Sequence, residues 1–317
     1  MDNAPMDNYA QGDRAPAPPI PDAQNTALNL ARLAAQRRLY SRAKTVEVVQ
    51  LIFTVPVVVL WSFLVLWHRQ WEAGAALYGE VLTMLDLFLL TPYQRTLKER
   101  AAKIQELFDC EVLDLPWHDV KLGPRPAAEE VLEWSGGVQR PEPDLSLLRD
   151  WYPVSARTLP RPLARLVCQR ANVWWDAKLR RRYAGWVVGG VAAVTVSVLT
   201  VSFLGGLTFE RFVLAGVSPL LPVLVLAHRE YNEQMEAART CDELRAHAER
   251  LWDAALAARV SPDELRVDGR DLQDEIYDRR RRSPLIFDWV YRRLRREDEE
   301  LMNRGAEQLV EQATKQE

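Results

Sequence analysis

The chain has 317 residues, 48% of them hydrophobic and 27% charged, with a formal net charge of -3. Length admits one large domain or two ordinary ones, and the near-neutral sum says little about partners because local sign matters more; no DNA or RNA duplex is expected as a partner. The averages conceal a division into blocks, because long runs almost free of charge alternate with stretches dense in Arg and Glu.

Residues 1–22 are rich in Pro, Ala, Asp and Asn and lack the basic and apolar regions of a cleaved signal peptide. They are expected to be a disordered tail. Residues 23–45 read as a cytoplasmic helix carrying Leu28, Leu30, Leu33 and Leu39 into the first apolar run. That run, Leu51 to Trp67, extends back to Val46 and is the first of four expected crossings, since a bilayer core about 30 Å thick needs roughly 20 apolar residues of helix. The second, Ala73 to Leu90, contains Glu80 and Asp86 and follows after a short polar turn. Together they make a transmembrane hairpin over 46–90.

The cytoplasmic segment 91–182 opens with an amphipathic continuation of the second crossing, Leu97 to Phe108. Cys110 to Leu115 is predicted as a short strand, and the Pro and Gly residues of 116–126 as a loop before a helix from about Ala127. From Pro162 to Arg182 the pattern is again helical and runs into the third crossing. Tyr183 to Leu207 carries no charge, and Gly185, Gly189, Ala193 and Ser197 form a small-residue stripe suited to close helix packing. Phe212 to Ala227, with Pro219 and Pro222, completes a second hairpin over 183–227. The remainder, 228–317, is predicted helical.

Basic residues crowd 32–44, 95–103, 170–182 and 229–239, whereas only Arg69 and Arg211 lie in the opposite turns. Under the positive-inside rule this places both termini and the central segment in the cytoplasm of a multi-pass inner-membrane protein. Cys110, Cys168 and Cys241 then lie on the reducing side and form no CxxC pair. The expected fold class is a mainly α membrane protein with two transmembrane hairpins and a mostly helical cytoplasmic domain.

Two groups of residues bear on function. A carboxylate inside a crossing is costly and marks a functional position by default. Glu80, Thr83 and Asp86 step around the helix by about 60° each and form one polar stripe, the candidate lining of a pore between protomers of a homo-oligomer. The alternative is a carboxylate paired within one bundle, which suits Asp86, close to the cytoplasmic end, better than Glu80. The second group is Arg279, Arg280, Arg281 and Arg282, a candidate phosphate site because guanidinium binds phosphate bidentately, although Arg runs beside Asp and Glu are more often solvated helix faces. Trp174, Trp175, Tyr277, Trp289 and Tyr291 are candidate base-stacking side chains. Lys178 and Arg180 to Arg182 are better explained by the membrane boundary and anionic headgroups. His68, His118, His228 and His247 are scattered, and no metal-ligand spacing, phosphate loop or nucleophile elbow occurs. Cys110 and His118 are more readily structural than a nucleophile and its base. No cofactor, metal or enzymatic activity is expected.

The stretches QNTALNLARLAAQRRLYSRAK from Gln24, MLDLFLLTPYQRTLKERAAKIQELFDCEVLDLPW from Met84 and LARLVCQRANVWWDAKLRRRYAGW from Leu163 resemble a known family, as do SPLLPVL from Ser218 and LQDEIYDRRRRSPLIFDWVYRRLR from Leu272. It is that of the four-transmembrane pore-forming effectors associated with bacterial second-messenger nucleotide synthetases of the SMODS group. The resemblance touches every region except the N-terminal tail. It implies an anti-phage role in which a cyclic oligonucleotide made during infection triggers damage to the cell's own membrane. From the residues alone, a constitutive channel or small-solute transporter and a membrane scaffold for a soluble partner remain alternatives.

Overall fold

The computed structural model describes residues 17–54, 56–57, 60–61, 68–136, 145–204, 208–211, 213 and 218–315. The long helices are α1 (Ala27–Thr54), α2 (Glu72–Leu85), α3 (Thr91–Leu113), α4 (Ala128–Ser135), α5 (Arg161–Leu204), α6 (Ser218–Leu256), α7 (Pro262–Arg282) and α8 (Asp288–Thr314). No strand occurs among the described residues.

The predicted strand at Cys110 to Leu115 is corrected to the last turn of α3 and its cap. Ile104, Phe108 and Val112 are fully buried at four-residue spacing, which is a helix period and not the alternation of a strand. The turn ends at Asp114, whose backbone is left-handed with φ 54° and ψ 53°, and the Cys110 carbonyl accepts from the Leu115 N–H at 2.9 Å. Four apolar and two acidic residues, CEVLDL, are too short a window to separate the two periods. The ordered fold also begins before the expected boundary at residue 23, because Ile20–Ala23 forms a helical turn with Ile20 buried in the core.

α2 and α3 form one rod. They are joined by a π turn at Asp86–Leu90, and both junction residues, Asp86 and Thr91, keep right-handed helical backbones. α5 and α6 are the most extensively packed pair, followed by α1 against α3; α8 lies on α5, and α7 bridges α6, α5 and α3. Pro219 is the second residue of α6, where a missing N–H costs least, whereas Pro222 lies inside the helix and removes one backbone hydrogen bond there. The Ser261 and Glu264 side chains cap the start of α7 reciprocally, satisfying two otherwise free N–H groups.

Burial reverses along the rods. α5 is packed through Tyr183 and Ala184, then exposes Trp186, Val188, Val194, Val196, Phe203 and Leu204. The α2–α3 rod does the same in the other direction, with Leu97, Ala101 and Ile104 buried and Leu77, Val81, Met84, Leu87, Phe88 and Leu89 exposed. Leaving these twelve side chains in water, most of them about half exposed, forgoes roughly 1 kcal/mol each, which together is comparable to the roughly 5–15 kcal/mol net stability of a domain. A lipid environment removes the deficit.

Two stretches, Ala73–Leu113 and Arg161–Thr200, are long and apolar enough to cross a bilayer. Parts of the first and fourth expected crossings, Leu51 to Trp67 and Phe212 to Ala227, lie outside the described residues. Within the first expected hairpin, the Tyr78 hydroxyl donates to the Phe53 carbonyl at 2.8 Å, and Trp61 packs 6.2 Å from Trp71 and 6.0 Å from Tyr78.

The water-exposed body rests on Phe108, which is fully buried and stacks at 6.1 Å on Tyr152. Phe108→Ala should cost about 3–5 kcal/mol, measured as an earlier thermal unfolding midpoint of the full chain in detergent; an unchanged midpoint would contradict this packing.

Candidate functional site

Three acidic residues on α3 and α5 organise the body. Glu106 and Asp109, one turn apart on α3, are fully buried. Arg270 donates to Glu106 at 2.7 Å and to Asp274 at 2.8 Å, while Gln273 donates to Glu106 at 2.9 Å and to Asp109 at 3.0 Å. Arg280 donates to Asp109 at 2.8 Å, and the Tyr152 hydroxyl donates to the same carboxylate at 2.7 Å. Burial and the nearby Asp109 push the Glu106 carboxyl up, against the pull of Arg270 and Arg280.

The third acid is Asp176 on α5, which accepts from Arg180 at 2.9 Å and from Arg279. Burial alone would raise its carboxyl, but these two guanidinium groups hold it well below the usual carboxylate range. Arg180 also donates to Gln234 at 2.8 Å and to the Pro284 carbonyl at 3.1 Å, so α5, α6 and the α7–α8 turn meet at one side chain.

The Arg279–Arg282 run is therefore divided. Arg279 and Arg280 are buried and engaged with carboxylates contributed by α5 and α3. Arg281 is half-buried, 3.5 Å from Asp278, and Arg282 is exposed on α7 at 3.4 Å from the same residue. Helical spacing carried the signal: Leu272, Gln273, Ile276, Tyr277 and Arg280 recur at three- and four-residue intervals and form the buried face of α7. The partners lie 103 and 171 residues away in sequence, beyond any local reading. The basic residues before the third expected crossing are likewise taken by carboxylates: Lys178 and Arg182 each lie 2.9 Å from the fully buried Asp298, and Arg181 pairs with Asp242.

Where these groups meet there is a cleft of about 180 Å³. Gln36, Arg37, Tyr40 and Lys44 come from α1, Asn172, Trp175, Asp176 and Arg180 from α5, Arg279 and Arg280 from α7, and Asp288 and Tyr291 from α8. Burial pushes the Tyr40 phenol up to about 12, so it remains a donor. Trp175 packs edge-on against Tyr291 at 5.4 Å, and Arg37 lies over the Tyr291 ring at 5.6 Å. Of the sequence-selected residues, the cleft gathers Trp175, Tyr291, Arg279 and Arg280, while Arg281 and Arg282 lie outside it; Tyr40, Asn172 and Arg37 were not foreseen. A larger groove between α6 and α7, about 710 Å³, mixes Glu233, Glu236, Glu275 and Asp278 with Arg239, Arg279 and Arg282, leaving a small excess of negative charge.

On the membrane half, Glu80 and Thr83 are exposed on α2 and Asp86 is half-buried. Thr83 donates back to the Gly79 carbonyl at 2.8 Å. Asp86 accepts from Gln50 of α1, and from the Thr91 hydroxyl at 3.4 Å across the π turn. Glu80 makes no ion pair among the described residues. Cys110 and His118 do not pair: the Cys110 thiol, pushed up by burial, takes a hydrogen bond from Arg270 at 3.2 Å, and His118 lies 2.7 Å from Asp274. No group of acidic, His and Cys side chains that could hold a metal occurs among the described residues.

Unbroken helices that leave a charged, packed body to expose apolar side chains define a helical membrane protein. A family model for the SMODS-associating 4TM effector domain matches residues 18–309, and the chain belongs to that family. It is also similar to a "probable CBASS effector molecule" of Bacillus cereus (strain VD146), with 23% identity over 293 residues that cover 88% of this chain and 94% of the relative. No solved structure matches.

Two outcomes test the charge arrangement. Arg280→Ala leaves Asp109 buried without its cation and should cost about 3–5 kcal/mol, whereas Arg282→Ala should stay within about 0.5 kcal/mol; equal effects in denaturant unfolding would refute the division. Asp176, with its folded pKa depressed, contributes stability in full above the unfolded value of about 3.9, and that contribution should be lost as pH falls from there toward the depressed folded value. Asp176→Asn should remove this part of the acid dependence in thermal melts taken across that range.

Proposed function

We propose that the chain is an oligomeric pore-forming effector of an anti-phage defence system, activated by a cyclic nucleotide and acting on the cell's own inner membrane. The observation that carries this reading is the continuity of α5 and of the α2–α3 rod: each is buried among charged partners at one end and exposes apolar residues at the other. A rearrangement of the body is thereby transmitted along rigid helix to the bilayer, as an effector requires and a passive anchor does not. Family membership supplies the signalling context, and the name of the Bacillus relative points the same way.

In this reading the chain crosses four times as two hairpins, with both termini and the body in the cytoplasm. A periplasm-dependent reporter should be silent when fused after Glu317 or within Ala127 to Gly137, and active when inserted near Gln70 or Gly206. An active C-terminal fusion would overturn the arrangement.

The stripe of Glu80, Thr83 and Asp86 is proposed to line the path between protomers. Within one chain Asp86 already has Gln50 and Thr91 as partners, leaving Glu80 as the main determinant. A carboxylate at a helix centre costs about 2.5–3.5 kcal/mol on insertion scales, and water in a pore relieves that cost while favouring cations. With the full chain in vesicles, nucleotide-dependent current should lose its cation preference in Glu80→Gln and change less in Asp86→Asn. Unchanged selectivity in the double variant would remove the stripe from the path, and current without nucleotide would favour a constitutive channel.

A further inference from the structure

The first turn of α8 is fastened at the level where the chain meets the membrane. Phe287 packs edge-on against Tyr183 at 6.1 Å, and Trp289 against Trp186 at 5.5 Å; Ile286 and Val290 join the same cluster with Val187. Tyr183, Trp186 and Val187 open the third expected crossing. From the other side Asp288 accepts from Ser41 at 2.7 Å and from Lys44 at 2.6 Å, and Lys44 lies just before the first expected crossing begins at Val46. The start of α8 is thereby tied to two crossings at once. Trp289, which is exposed, stands where an indole with an apolar body and one N–H is favoured, at the edge between hydrocarbon and headgroups.

From Trp289 onward the helix has two unlike sides. Val290, Leu294 and Asp298 are buried, the first two with Leu179 and Tyr183 of α5 and the third on Lys178 and Arg182. Trp289, Arg292, Arg293 and Arg296 are exposed and fall within about 100° of one another on the other side. None of these three arginines makes an ion pair among the described residues, although Arg295 pairs with Glu299, and Arg304 with Glu300 at 2.6 Å. The acids that helical spacing offers them are taken: Asp288 by Lys44, Glu297 by Arg182 at 3.0 Å and Glu300 by Arg304. Arg292 and Arg296, one turn apart, repel each other. A solvated helix face ordinarily interleaves both signs, whereas this stripe is of one sign and complements a surface of negative charge.

We propose that the opening of α8, Trp289 to Arg296, lies against the headgroup layer of the cytoplasmic leaflet, with Trp289 at the hydrocarbon edge and Arg292, Arg293 and Arg296 on the phosphates of anionic lipids. The proposal rests on the entry of α5 into the bilayer near Tyr183 and is independent of nucleotide activation and of the pore. The reach is sufficient. Arg296 is about 10 Å of helix rise from Trp289, comparable to the roughly 8 Å over which a surface potential persists in physiological salt, and an arginine stem carries its guanidinium further toward the surface. Guanidinium suits phosphate because it binds bidentately. The basic residues that precede Tyr183 on α5 do not fill this role, since Lys178, Arg180 and Arg181 are held by Asp298, Asp176 and Asp242. The leaflet thus grips the body at a site separate from the crossings, and its lipid composition acts on a helix that is bonded to α1 and packed on α5.

The test uses the full chain in nanodiscs of phosphatidylcholine, with or without added phosphatidylglycerol. Arginines are modified with p-hydroxyphenylglyoxal, and the rates are read residue by residue by mass spectrometry. Phosphatidylglycerol should slow Arg292, Arg293 and Arg296 by about fivefold each and leave unchanged Arg250, which is exposed on α6 about 35 Å of helix rise from Ala227. In maltoside, the triple variant Arg292→Gln, Arg293→Gln, Arg296→Gln should keep the melting midpoint of the parent chain and lose the rise in midpoint that phosphatidylglycerol gives. Equal modification rates in the two lipids, or an undiminished rise in the triple variant, would overturn the proposal. Protection by inorganic phosphate or by a cyclic dinucleotide in phosphatidylcholine discs would also overturn it, by making the stripe a site for a soluble anion. Val194→Cys separates this failure from that of the membrane reading, because the chain's own cysteines are buried and Val194 is exposed on α5. Its thiol should not react with a charged maleimide in the discs. Reaction there would overturn the entry of α5 into the bilayer, whereas no reaction together with unprotected arginines would overturn only the placement of α8.

Discussion

A helix that passes from a polar body into lipid cannot break at the boundary, because every backbone N–H and C=O within the hydrocarbon must be satisfied inside the segment. This constraint shapes the rest of the molecule. α5 runs for 44 residues, Arg161 to Leu204, and α6 for 39; neither is long because of high intrinsic propensity, and each must find burial for its charged half and lipid for its apolar half. The packing of α7 and α8 across α5 supplies the first requirement, with Asp176, Asp298 and Gln234 as the points at which arginines and lysines are secured.

Securing charges in this way is expensive. Desolvating an ion pair can offset its attraction, so the presence of such pairs is weak evidence of net stability, whereas removing one partner is costly. The Glu106, Asp109, Arg270, Arg280 and Gln273 group joins α3 to α7, and the Asp176, Arg180 and Arg279 group joins α5 to α7. α7 thus belongs to both lattices, and through α3 and α5 it is connected to both rods that lead to the membrane. The cleft lies where the lattices meet, which is why its walls come from four helices.

The sequence disclosed the elements that depend on local periodicity. Tyr183 to Leu207 read as a crossing because it is uncharged, and the helical pattern of Pro162 to Arg182 placed it on the same rod; both are found in α5 as far as Leu204. Cys110 to Leu115 was misread, since a few residues of CEVLDL are compatible with either period until Ile104 and Phe108 are included in the phase. The four consecutive arginines looked like a solvated face because their acids, Asp109 and Asp176, are distant in sequence, and charge burial is a property of partners that no window contains. The cleft was invisible for the same reason: Tyr40 and Asn172 are ordinary helix residues until α1 and α5 are brought together. The acidic residues Glu80 and Asp86 were legible in the sequence, whereas the attachment of Asp86 to Gln50 depends on the approach of α1.

The π turn at Asp86–Leu90 accommodates about one residue more than a regular turn would. In angular terms it is a phase shift: the faces of the rod beyond it are displaced by about 100°, one residue's worth of rotation, from where an unbroken α-helix would carry them. The face of α3 that seats Leu97, Ala101 and Ile104 against α1 is consequently not the face that continues toward the bilayer in simple register. The five residues at the junction therefore offset the azimuth at which Glu80 is presented from the face of α3 that the body packs.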